Sequence, residues 1–211
     1  MPSSLLTRRN LLAAAGPLLA LPGALVAGAG RAFGQDMPGV DEVLHDPEVP
    51  VLGNPEGDVT IVEFFDYQCP YCKRGHADVM RVVEEDGQIR LVMKDWPILG
   101  EPSRRASRLA LAAVGEGGHE AALHALMKTD GRLSDAAIDA ALREAGLDPL
   151  ALEAGYAARA ESIDAILARN AEQARGFKLR GVPAFVIGTF LVPGLIAGNV
   201  LEDVVERARR S

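Results

Sequence analysis

Thr60-Ile61-Val62-Glu63-Phe64-Phe65 is β-branched and aromatic, nearly continuous in apolarity, and bounded by Gly57-Asp58 and Asp66. A run of this kind predicts a central strand buried on both faces. Pro70 then opens a stretch that keeps helical spacing to about Glu85, with Ala77, Met80 and Val83 on one side and Asp86-Gly87 as its stop. Ile89-Arg90-Leu91-Val92-Met93-Lys94 predicts a second strand. Strand, helix and strand in immediate succession imply a parallel, right-handed crossover, with the start of the helix above a sheet edge.

From about Pro102 to Gly176 the composition shifts to Ala, Leu, Glu and Arg, broken at Gly115 to Gly118, at Gly131 and at Gly146-Leu147-Asp148-Pro149. Three or four helices fit this segment. Ser134 and Asp148 are N-cap candidates, the latter followed by Pro149 at the first helical position, and Ile138, Leu142 and Ala145 hold helical spacing. Beyond Arg180-Gly181, Pro183 to Ile187 and Phe190 to Val192 flank Gly188-Thr189, which predicts an antiparallel hairpin. Asn199 is expected to cap a closing helix carrying Leu201, Val204, Val205 and Ala208, with Arg207, Arg209 and Arg210 at its favourable C-terminal dipole end. No internal repeat is visible.

The N-terminus reads as an address. Thr7-Arg8-Arg9-Asn10-Leu11-Leu12 leads into an uncharged run to Gly30, in the manner of a twin-arginine export signal, with a cut expected before Gln35. Pro17, Pro22 and repeated Gly and Ala make the same run a poor membrane-spanning helix. Periplasmic or secreted localisation follows. Residues 36–57 are Pro/Gly-rich and acidic and read as an arm or linker.

A chain of 211 residues, shortened by a signal, has room for one domain of ordinary size. Removal of Arg8, Arg9 and Arg31 takes the formal charge from −7 to −10. Basic residues are scattered, which argues against nucleic acid as a partner.

Both cysteines of the chain, Cys69 and Cys72, sit in Cys69-Pro70-Tyr71-Cys72. A disulfide closing so short a loop restricts the unfolded chain little, so reactivity explains the pair better than stapling does. Cys69 at a helix N-terminus is placed to be a stabilised thiolate, with Cys72 one turn deeper to resolve a mixed disulfide. A CxxC is also half of a zinc site, with His76 a third candidate ligand, but no second cysteine pair exists to close it. Haem attachment needs His where Lys73 stands.

Glu63 through Cys72, together with Gly181-Val182-Pro183-Ala184, resembles the DsbA-like branch of the thioredoxin superfamily from about Val49 to the C-terminus. The run Lys94-Asp95-Trp96-Pro97-Ile98-Leu99-Gly100 is most similar to ScsC-like and related secreted members. The resemblance implies an α/β thioredoxin-like fold with an inserted α-helical domain. Residues 1–34 would be the signal, 35–57 the arm, 58–101 with 177–211 the thioredoxin-like part, and 102–176 the insertion. It implies Cys69 and Cys72 as the redox disulfide and a cis Val182-Pro183 bond facing it. Pro183 and Glu63 would join the catalytic set, and Val182, Pro70 and Tyr71 would meet substrate. Glu63 would be a proton acceptor or electrostatic modulator beneath Cys72; the alternative is a structural ion pair with Lys94 on the neighbouring strand.

Tyr71 stands where prototypical oxidases of the family carry His, which points to a milder oxidant, whereas Val182 resembles oxidases more than the threonine common in isomerases. A monomeric oxidase is the first expectation, and an isomerase or reductase in a small oligomer the second. A copper-handling protein using Cys69, Cys72 and His76 is the reading from another class. Expected partners are cysteine-containing exported polypeptides and a membrane redox partner that resets the pair, with no cofactor beyond the cysteines. His45, His119 and His124 read as solvated or helix-surface residues, and Trp96 as packing or lining a peptide groove.

Overall fold

The computed structural model describes residues 38–211, so the signal segment lies outside the described residues. In chain order the elements are α1 Val40–Leu44, β1 Val51–Gly53, β2 Val59–Phe65, α2 Pro70–Asp86 and β3 Ile89–Asp95. The inserted helices follow as α3 Glu101–Ala113, α4 His119–Met127, α5 Asp135–Glu144, α6 Pro149–Ala158 and α7 Ala160–Gly176. The chain closes through β4 Ala184–Ile187, β5 Phe190–Pro193 and α8 Gly198–Arg209. The sheet order is β1-β3-β2-β4-β5, with β2 and β3 parallel and the remaining pairs antiparallel. This is the thioredoxin-like arrangement with a helical insertion after β3.

β2 and β3 lie at the centre of the sheet, and their side chains alternate between two cores. Ile61, Phe65, Leu91 and Met93 face the core shared with Val79 and Val83 of α2 and Leu201 of α8. Val62, Phe64 and Val92 face the opposite core, with Val43, Ile163, Ile166 and Phe177. Both faces are covered, and so the sequence there reads as an almost continuous apolar run.

Several expectations change. Residues 38–57 are not a free arm: Val51 to Gly53 pair with Arg90 to Val92 as an edge strand, and Val43 and Val49 are buried. The insertion holds five α-helices rather than three or four. The extra break falls at Arg159, where there is no Gly or Pro; its guanidinium donates to the Ala112 carbonyl. Asn199 lies inside α8, whose N-cap is Ala197 with no side-chain cap. Ser134 and Asp148 do cap, accepting from the backbone N–H of Ala137 and Leu150. In α2 the buried face runs through Cys72, His76, Val79, Met80 and Val83, and Ala77 is exposed.

Candidate active site

The loop Asp66-Tyr67-Gln68 carries the chain from β2 into α2 and sets the position of Cys69. The Asp66 carboxylate accepts from the backbone N–H of Gln68 at 2.8 Å, folding the loop on itself, and from the N–H of Leu99 at 2.9 Å. Gln68 reaches outward instead, donating to the Leu99 carbonyl at 2.6 Å and accepting from the Leu133 N–H at 3.0 Å. The cysteine loop is thereby tied to both the β3–α3 connection and the insertion.

Cys69 is the N-cap residue of α2, with extended backbone, and Pro70 occupies the first turn where its missing N–H costs nothing. Both cysteines are free thiols and both are buried. Their environments separate them. The Cys69 thiol is lowered to about 6, first by hydrogen bonding from the Cys72 thiol, against the opposing effect of burial, and then by the backbone N–H groups of Cys72 and Tyr71. Cys72 is driven far upward by burial, by its bond to Cys69 and by the negative charge of Glu63.

Across the site the Val182–Pro183 peptide bond is cis, and the Cys69 Sγ donates to the Val182 carbonyl oxygen at 3.4 Å. Tyr71 is 53% exposed, and the Arg74 guanidinium lies over its ring at 5.3 Å from the centroid. Trp96 is held edge-on against Phe64 at 6.5 Å, in the core opposite the cysteines, and so it packs rather than lines a groove here.

Glu63 shares the Ile61/Phe65 face of β2, on the same side as the cysteines, and its Oε2 has no hydrogen-bond partner. Burial, with a smaller contribution from the charge of Cys69, raises it to about 8. The ion pair with Lys94 does not exist. Glu63 is in register with Met93, so Lys94 points to the opposite face. There it meets Asp46 at 2.9 Å, and Arg169 grips the same carboxylate at 2.9 and 3.0 Å.

Other groups near the cysteines carry no signal in the sequence that marks them as site residues. Asp95 shares the Glu63 face, is fully buried, and is raised to about 7 by burial. Lys73 spans from α2 to the insertion, donating to the Thr129 carbonyl at 2.8 Å, its hydroxyl at 2.9 Å and the Gly131 carbonyl at 3.3 Å. The histidines correct the sequence reading in part. His45 is exposed, but His119 is buried and lowered to about 4 by that burial. His124 is half-buried and meets His76 across 2.8 Å in the α2–α4 contact. Among the described residues no three His, Cys, Asp or Glu side chains converge as a metal-binding group.

A family model described as a DSBA-like thioredoxin domain matches residues 60–207. The chain belongs to this DsbA-like family. Among solved structures, a thioredoxin-like oxidoreductase from Silicibacter pomeroyi DSS-3 is 44% identical with a TM-score of 0.77, over 81% of this chain and 98% of that one. The catalytic domain of Proteus mirabilis ScsC is 27% identical with a TM-score of 0.73, over 81% of this chain and 94% of that one. Disulfide bond formation protein D of Bacillus subtilis (strain 168) is 34% identical over 76 residues, which are 33% of this chain and 34% of that protein. The chain therefore spans about a third of this curated relative. Residues 60–207 run from β2 into α8, so the match takes in the cysteine helix, the insertion and the cis-proline hairpin that make up a DsbA-like site.

Proposed function

We propose that the protein is an exported thiol–disulfide oxidoreductase that passes its Cys69–Cys72 disulfide to cysteines of secreted polypeptides. The observation that carries this reading is the opposite displacement of the two thiols, Cys69 down to about 6 and Cys72 upward. In the oxidised protein a substrate thiolate attacks the Cys69 sulfur. The Cys69–Cys72 bond breaks, and Cys72 leaves with the electron pair. Glu63, a neutral acid at pH 7 with its value near 8, supplies the proton that Cys72 takes up. A second substrate thiolate then attacks the mixed disulfide, and Cys69 departs as a stabilised thiolate. The substrate leaves with its two thiols oxidised to a disulfide, and the pair, now reduced, is reset by a membrane redox partner.

Pro183, Val182 and Tyr71 have positioning roles in this scheme. The Val182 backbone pairs with an extended substrate strand beside Cys69, in the manner of strand addition to an exposed edge. Export rests on the twin-arginine segment.

A second reading, disulfide isomerase or reductase, is favoured by the moderate depression of Cys69. About 6 lies between the thioredoxin value of about 7 and that of DsbA, about 3.5. Mixing the oxidised protein with a reduced, unfolded multi-cysteine substrate separates the two. Stoichiometric loss of substrate thiols supports the oxidase. Failure to oxidise, with rearrangement of a scrambled substrate by the reduced form, supports the second. Inertness in both assays overturns the proposal.

A further inference from the structure

An open groove of about 740 Å³ begins at Pro70, the residue after Cys69. Gln68 and Arg74 form one wall, and Lys128, Asp130 and Arg132 of the α4–α5 loop form the other. The Lys73 ammonium, with its three bonds to Thr129 and Gly131, holds that loop against α2.

The charge of the groove departs from that of the chain. Four cations, Lys73, Arg74, Lys128 and Arg132, line it against one acid, Asp130, in a chain of formal charge −7. Elsewhere Arg81, Arg105, Arg108, Arg169 and Arg209 pair with carboxylates, and the exposed Arg175, Arg180 and Arg207, which form no ion pair among the described residues, lie outside the groove. Arg74, Lys128 and Arg132 are exposed and form no ion pair among the described residues. Three exposed, unpaired cations and Lys73 gathered around one opening beside the reactive sulfur, against a single acid, give that opening a local positive field in a protein that is acidic as a whole.

We infer that this groove selects substrate polypeptides bearing Asp or Glu within a few residues of the cysteine that reacts with Cys69. The inference deepens the exchange reading and rests on it. Of the cations, Lys128 and Arg132 are the ones whose removal leaves the site intact. Arg74 lies over the Tyr71 ring and Lys73 anchors the loop, so neither is a clean probe.

Three synthetic peptides with one central cysteine flanked by Glu, Gln or Lys test this, each as the reduced thiol mixed with the oxidised protein. Rates are divided by those of the same peptides with a small uncharged disulfide, which removes differences in intrinsic thiol reactivity. The Glu peptide should outpace the Lys peptide by roughly tenfold at low salt, and the gap should close near 1 M salt, where charges are screened within about 3 Å. The Lys128→Gln/Arg132→Gln double variant should lose most of the gap while the Gln peptide keeps its rate. Equal normalised rates for the three peptides, or a gap undiminished in the double variant, would overturn the inference and leave the exchange reading standing. No reaction with any peptide would overturn both.

Discussion

The Cys69 thiol donates to the Val182 carbonyl oxygen across 3.4 Å, joining two segments that lie 113 residues apart. One is the first turn of α2 and the other is the turn into β4, and they meet because β2 and β4 are adjacent in the sheet. A substrate strand running along Val182 would bring its cysteine to Cys69, the sulfur of the pair whose thiol is lowered.

The first prediction concerns the division of labour. Cys69→Ser should abolish exchange altogether, whereas Cys72→Ser should accumulate mixed disulfides with substrate, visible as adducts on non-reducing gels and by mass. Unchanged turnover in either variant would remove the mechanism.

The second follows from the Cys69 environment. Alkylation of the reduced protein should rise with pH through a midpoint near 6, well below the ordinary thiol value of 9.0. Since hydrogen bonding from the Cys72 thiol is the largest lowering influence, Cys72→Ala should move the midpoint upward. A midpoint that stays put would assign the depression to the helix N–H groups instead.

Glu63 provides the third. Its folded-state value, about 8, lies above its ordinary 4.5, so its favourable contribution to stability is complete below the ordinary value and is lost as pH rises toward 8. Glu63→Gln should flatten the decline of unfolding free energy over that window by a few kcal/mol, since each tenfold change in proton affinity corresponds to about 1.4 kcal/mol. Asp95, raised to about 7, tilts stability in the same direction and should remain in the variant. The variant should also slow reduction of the disulfide, on the order of a hundredfold for loss of a positioned proton donor. Urea titrations at several pH values and single-turnover kinetics check the two effects separately.

The fourth concerns Asp46, which answers the fully buried Lys94 at 2.9 Å. Asp46→Ala leaves that ammonium in the core with only the Asn170 side-chain Oδ1, at 3.4 Å, and should cost about 3 kcal/mol or more. Asp46→Ala/Lys94→Met should recover part of the loss. Chemical denaturation of the single and double variants measures both.

The sequence is most legible where burial alone dictates structure. β2, α2 and β3 can be read because both faces of the central strands are covered, and the cysteine pair because its spacing permits little else. The insertion is visible as composition, but its fifth helix is not, since the break at Arg159 carries no Gly or Pro and the contact its side chain makes, with Ala112, is 47 residues away. Residues 36–57 resemble an arm because their stabilising partners, Lys94 and β3, are distant in sequence. Pairing Glu63 with Lys94 fails on register: a shift of one residue sends a side chain through the sheet to its other face. The burial of His119 has no local signal at all. Asp66 does carry one, as an Asp two residues before a backbone N–H it can accept from, but an Asp at that point is equally the ordinary end of a strand.

The most direct measurement is the equilibrium of Cys69 and Cys72 with glutathione, read by thiol trapping on the purified protein. A Cys69 thiolate stabilised to an intermediate degree should give a reduction potential between that of thioredoxin, about −270 mV, and that of DsbA, about −120 mV. A value at or below the thioredoxin figure, or a pair that does not equilibrate with glutathione, would contradict disulfide donation by this protein.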